Sequence, residues 1–239
     1  KACSLEFLEK KSDLDKAKEH FKTAISLDHN FVEAYYLLSV VSERMGNYDE
    51  AEEEFYSALD LAKQDNLDTS DAYVYGYIGT LYNKLGKYNK SIRYLEQALE
   101  IYLKYNAKRS IAYILHNLGH TFNNQGKIKE GMDCFNRSLD IKKEFEDEEQ
   151  LASSYNQIAS TYNSMGDYSL AIENAMQSLG YYKISDNHLF GAYTMMALSF
   201  SYAHLGMFSE CEKHLNSAQG IFKEFNNLFF LGKVNVLYG

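Results

Sequence analysis

The chain has 239 residues, of which 46% are hydrophobic and 24% charged, with a net charge of −9. That supply of apolar residues excludes a disordered tail, and the negative balance disfavours a phosphate backbone, so nucleic acid is not an expected partner. No stretch approaches the ~18 consecutive apolar residues of a membrane span, and with no proline present one helix can follow another without an obligatory break.

In chain order, the first recognisable segment is KSDLDKA from Lys11, with Ser12 where later copies carry glycine. MGNYDEA from Met45, LGKYNKS from Leu85, QGKIKEG from Gln125, MGDYSLA from Met165 and LGMFSEC from Leu205 follow. Their glycines, Gly46, Gly86, Gly126, Gly166 and Gly206, are spaced 40 residues apart. A glycine at such a point ends a helix in the left-handed conformation, and a fixed period of this length is the signature of a solenoid. Before each glycine, apolar residues recur at helical spacing, as in Tyr75, Ile78 and Tyr82. After it, a second helix opens on Tyr48, Tyr88, Ile128, Tyr168 or Phe208. Small residues return at fixed points in both helices (Gly79, Gly119 and Ala159; Ala51, Ser91 and Ala171), as interlocking antiparallel helices require. Asn47 and Glu50 have the spacing of a capping box.

The pattern resembles the tetratricopeptide repeat over essentially the whole chain, with YGYIGTLYNKLGKYNKSIRYLEQAL from Tyr75 as the closest copy. The family's usual proline after the second helix is missing, and the repeats exceed the usual length by six residues. A longer second helix and a slightly longer link, such as Asn66 to Ser70 or Asp186 to Phe190, would account for the excess. The resemblance implies an all-α, right-handed α-solenoid of about six helical hairpins, with repeats at 1–31, 32–71, 72–111, 112–151, 152–191 and 192–231 and a partial one at 232–239. Because the final stretch matches the start of another first helix, the chain is expected to be part of a longer protein. Phe229, Phe230 and Leu231 are expected to dock on the helix before them, and residues 228–239 to be helical.

In that architecture the first helices line a concave wall, and counting along them gives its residues. The third wall holds Tyr113, His116, His120 and Asn123; the second holds Tyr73, Gly76, Thr80 and Asn83; the fourth Ser153, Asn156, Ser160 and Asn163; the fifth Tyr193, Met196, Phe200 and Ala203. Asn83, Asn123 and Asn163 form a ladder with one amide per repeat. Each amide both donates and accepts and so suits a peptide backbone, or else caps the last turn of its helix. Tyr193, Met196 and Phe200 give the far wall an apolar character.

Other chemistry is sparse. His116 and His120 have the spacing of a helical metal pair but no third ligand in register, so no metal is expected. GYIGTLYNKLG is repeat packing rather than a phosphate loop, and no cofactor is expected. No nucleophile–base–acid set exists, so the chain is not read as an enzyme. Lys84, Lys87, Lys90 and Arg93 form a basic strip, either an acidic-partner contact or a solvent-facing edge. Cys3, Cys134 and Cys211 show no metal or redox spacing, which with no visible signal peptide suggests a reducing, cytoplasmic setting. The expectation is a scaffold that binds an extended protein segment or peptide. Two alternatives are a regulatory module of a larger signalling enzyme or transcription factor, with homodimerisation, and a peptide-pheromone receptor as the resemblance allows.

Overall fold

The structure, a computed structural model, describes residues 11–62, 69–227 and 230–231. Cys3, the Asn66 end of one expected link and most of the terminal half-helix lie outside these residues; Phe230 and Leu231 are helical. The described residues form eleven helices and no strand. They fall into two compact units, residues 1–125 and 126–239.

In the first unit α1 (Lys11–Leu27), α2 (Val32–Arg44), α3 (Tyr48–Ala62), α4 (Thr69–Lys84), α5 (Tyr88–Lys104) and α6 (Lys108–Asn124) each pack on the next, and α4 also touches α6. The second unit repeats the arrangement with α7 (Ile128–Lys143), α8 (Glu148–Met165), α9 (Tyr168–Ile184), α10 (His188–His204) and α11 (Phe208–Glu224), α8 also touching α10. Both units are thus stacks of antiparallel helical hairpins. Even-numbered helices are the first helices of the repeats. Ser12, in the glycine's register, lies in the first turn of α1.

All five glycines have positive φ, between 69° and 85°. The same conformation recurs midway between them at Asn106, Glu146, Asp186 and Asn226, with φ of 51° to 57°. At Gly46, Gly86, Gly166, Gly206, Asn106 and Asn226 the helix closes by the same pair of bonds. The Gly86 N–H donates to the Asn83 carbonyl and the Lys87 N–H to the Tyr82 carbonyl; Asn106 and Ala107 do likewise to Leu103 and Tyr102. These are Schellman ends, which satisfy carbonyls that the helix leaves orphaned. The turns Tyr105–Ala107 and Ser185–Asn187 are as short as those at the glycines, which corrects the expectation of a longer link from Asp186 to Phe190 and leaves the extra length of those repeats in their helices.

Packing follows the large–small alternation. Ala51, Ser91, Ala171, Ala98 and Ala218 are fully buried, and so, nearly, are the large residues Phe55, Leu95, Phe135, Leu215 and Phe222. At Gly79 an added Cβ would fall 2.5 Å from Leu95 Cγ, so the α4–α5 approach requires glycine. Cys134 is buried, and burial raises the thiol pKa of half-buried Cys211, so both belong to packing. Asp147, Asp167 and Asn187 cap α8, α9 and α10 by accepting the N–H of Gln150, Leu170 and Phe190. The reciprocal capping box expected at Asn47 does not form. The Asn47 N–H closes the previous helix on the Ser42 carbonyl, and its amide donates to the Glu50 carboxylate instead. In the second unit Phe230 packs on Phe222 and Tyr193, at 5.4 and 4.5 Å between ring centroids.

Candidate functional site

The buried faces of the first helices are apolar, and what remains on the opposite face is the candidate site. On α4, Ala72, Val74, Tyr75, Ile78, Leu81 and Tyr82 turn inward. This leaves Tyr73 48% exposed, with Tyr77, Thr80 and Asn83 half-buried. On α6, Ile111, Ala112, Ile114, Leu115 and Leu118 are buried, Tyr113 is 43% exposed, and His116, His120 and Asn123 are half-buried. Gly76 is buried; a Cβ there would lie 2.9 Å from Ile114 Cδ1, so glycine lets α6 close on α4.

A group of four tyrosines lies on this wall of the first unit. Tyr36 of α2 packs on Tyr77 at 4.6 Å and on Tyr73 at 5.2 Å between centroids. Tyr73 lies 4.9 Å from Tyr77, their hydroxyls 3.2 Å apart, and Tyr113 is 6.5 Å from Tyr77. Burial, then the neighbouring Tyr77 hydroxyl, pushes the Tyr36 pKa far above the ordinary phenol value. Counting wall positions along one helix finds Tyr73 and Tyr113 but omits Tyr77, one position off the count. The available signal was the four-residue spacing of Tyr73 and Tyr77, which puts them on adjacent turns of one face.

The asparagines occupy a different environment from a free ladder. Asn83 Oδ1 accepts from Asn124 Nδ2 at 3.0 Å. Forty residues earlier the same two register positions hold Glu43 and Lys84, which form an ion pair. In the second unit Asn163 Oδ1 accepts from Ser201 Oγ at 2.7 Å. Asn83 and Asn163 thus tie neighbouring repeats through their carbonyl oxygens. Asn156, half-buried on α8, has an Oδ1 that is buried and without a hydrogen-bond partner among the described residues. Also in the second unit, Phe200 is 44% exposed and lies 4.1 Å from the His204 ring, which stacks on Tyr168 at 4.5 Å. Tyr193 and Met196 are half-buried: both pack against the cluster of Leu215, Ala218 and Phe222, and the Tyr193 hydroxyl accepts from Asn227.

His116 and His120 meet edge to face, Nε2 to Nε2 at 3.1 Å, so at least one of these nitrogens is deprotonated in this geometry. No group of three histidine, cysteine or acidic side chains positioned to hold a metal is found among the described residues. The three lysines of the basic strip are matched by carboxylates of the preceding repeat. Lys84 pairs with Glu43, and Lys87 and Lys90 reach Glu52 at 3.3 and 4.0 Å. The Lys90 ammonium also lies 4.8 Å from the Tyr82 ring centroid. Burial opposes ionisation of Glu52, yet the Tyr82 hydroxyl and the two lysines hold its pKa below the ordinary value. No helix among the described residues is long and apolar enough to cross a membrane.

One core position departs from the register. Tyr102, Tyr182 and Phe222 are buried at the ends of their helices, and the equivalent residue of α7 is Lys142, only 7% exposed. Its ammonium donates to Ser154 Oγ at 2.9 Å, and burial lowers its pKa, with Asp147 acting in the opposite sense.

A family model described as "Tetratricopeptide repeat" matches residues 30–104 and 110–184. No curated protein matches the sequence. Among solved structures, BtubC (BKLC) from P. vanneervenii is 21% identical, with a TM-score of 0.76, over 90% of each chain. The apo form of RapI is 17% identical, with a TM-score of 0.80, over 87% of this chain and 76% of that one. A Rap protein complexed with Competence and Sporulation Factor is 16% identical, with a TM-score of 0.74, over 98% and 72%. At these identities the likeness is one of fold.

Proposed function

This chain belongs to the tetratricopeptide repeat family, and from that premise we propose that it is a non-catalytic scaffold binding an extended protein segment or peptide on the first-helix faces. The observation that carries this reading is the composition of those faces. Tyr73, Tyr113 and Phe200 stay exposed on helices whose other sides are fully packed. Amides recur beside them at Asn83, Asn123, Asn156 and Asn163. Exposed tyrosine supplies contact area at low entropic cost, and an amide can pair with a peptide N–H or C=O. With their oxygens engaged, Asn83 and Asn163 have their Nδ2 donors to offer a bound carbonyl. Met196 and Tyr193, half-buried on the same helix as Phe200, are proposed to offer the partner the parts that stay exposed.

The fold shared with a Rap protein that is complexed with a signalling factor favours, as a second reading, a small peptide ligand over a folded partner. A regulatory or dimerisation role in a larger signalling protein is compatible with either. A reducing, cytoplasmic setting goes with this reading, since the three cysteines show no metal or redox spacing.

The test is a random-peptide phage selection on the wild-type chain, followed by titration of the selected peptides against Asn123→Ala and Asn163→Ala. An asparagine pairing with a backbone group on a desolvated surface should be worth about 1–3 kcal/mol of binding. The expected result is weakened binding in both variants, with a nearly unchanged melting temperature for Asn123→Ala and a lowered one for Asn163→Ala, which also loses the bond from Ser201. Unchanged affinity in both variants, or selected peptides that do not compete with one another, would remove the reading.

A further inference from the structure

We propose that the tyrosine group on the first unit's wall is a seat for an arginine side chain, so that the segment bound there is a basic one. This rests on the first-helix wall being a binding face, and it adds the chemistry of the partner. Tyr36 and Tyr77 form the floor, held by ring contacts at 4.6 Å, and Tyr73 and Tyr113 stand beside it, each nearly half exposed. The exposed rings of Tyr73 and Tyr113 and the half-buried ring of Tyr77 thus share one surface patch, with buried Tyr36 packed beneath them.

Rings of this kind present a negative face, and a guanidinium, which is planar and weakly hydrated, stacks on it more readily than an ammonium. Fixed charge points the same way. Glu33 lies on α2 one turn before Tyr36, is exposed, and takes part in no ion pair among the described residues. The carboxylate of Glu43 lies on the same helix and acts electrostatically on the Tyr113 hydroxyl. Of the basic side chains on these helices, Lys84 is paired with Glu43, and Arg109, one turn before Tyr113, is engaged in interactions of its own. The wall therefore combines stacking surface with the Glu33 carboxylate, which has no ion-pair partner among the described residues. The chain's net charge of −9 favours a basic partner at longer range.

The experiment is fluorescence anisotropy with a labelled Gly-Ser-Arg-Ser-Gly peptide and with copies in which arginine is replaced by citrulline, lysine, leucine or glutamate. The arginine peptide should bind about tenfold more tightly than the citrulline one, which keeps the planar shape and loses the charge. It should also exceed the lysine peptide. The combined Tyr73→Leu and Tyr113→Leu variant should lose the preference, whereas Tyr73→Phe with Tyr113→Phe should retain most of it. Glu33→Gln should weaken the arginine peptide several-fold and leave the citrulline peptide unchanged. Circular dichroism of each variant establishes that it is folded. Equal binding of arginine and citrulline, preference for leucine or glutamate, or a preference that survives the double leucine change would overturn the inference. If that happens while phage-selected peptides still respond to Asn123→Ala, only the arginine seat falls and the scaffold reading stands.

Discussion

Replacing Lys142 by phenylalanine should stabilise the second unit. The position belongs to a series occupied by Tyr102, Tyr182 and Phe222, the last of them fully buried, whereas Lys142 places an ammonium at 7% exposure against a single serine hydroxyl. A buried cation keeps only part of the solvation it had in water, and replacing such groups with well-packed apolar residues is often stabilising by about 1–4 kcal/mol. Against this, one hydrogen bond from a charged donor is lost, worth about 1.5–3 kcal/mol, although Ser154 keeps its own bond to the Gln150 carbonyl. A buried phenyl contributes about 1.5–3 kcal/mol, of which the lysine stem already supplies a share. The net expectation is about 1–2 kcal/mol, read as a rise in urea midpoint and about 3–6 °C in melting temperature. Lys142→Met, which keeps the stem and removes the charge, should be neutral or slightly stabilising. The pH dependence has a definite sign. Burial lowers the folded-state pKa, so the unfolded chain holds the extra proton between that pKa and about 10.4. Wild type should therefore gain on Lys142→Met as pH rises through that window. If both variants are less stable than wild type by more than about 1 kcal/mol, the lysine is a net stabilising element and the reasoning fails.

Two further outcomes follow from the turns and the tyrosines. Glu146 is the one bulky acidic side chain among the left-handed helix ends, so Glu146→Gly should stabilise by about 0.5–1 kcal/mol in a denaturant titration, and a loss of stability would show that its side chain compensates the backbone cost. Burial pushes Tyr102 and Tyr182 up to about 12. They stay protonated in the fold after the unfolded chain has ionised near 10, so urea midpoints should fall between about pH 10 and 12; a flat profile would contradict that assignment.

The fold was legible because its strongest signals are backbone requirements. Five glycines at one register each mark a left-handed turn, and Gly79 marks a close helix contact. The second series of turns was hidden because Asn106, Glu146, Asp186 and Asn226 share a conformation and no residue type. Individual wall residues were found by counting along a helix, which shows the face a side chain occupies but not its neighbours. Tyr193 sits at a wall position and is drawn into packing by Phe222 and Phe230, while Asn83 and Asn163 are tied to the following repeat. Those contacts join residues 29 to 41 positions apart, beyond the reach of local periodicity. Lys142 is hidden from a register read at the small positions, because it stands at the large-residue position near the helix end.

Photo-crosslinking tests the central claim most directly. A peptide selected on the wild-type chain, carrying a benzophenone side chain, would be irradiated in complex and the adducts mapped by mass spectrometry. Adducts on the exposed faces of α2, α4 and α6, or of α8 and α10, are the expected result, with Tyr73, Tyr113 and Phe200 among the residues modified. Adducts confined to the second helices α3, α5, α7, α9 and α11 would place the partner on the opposite side of the hairpins and contradict the account.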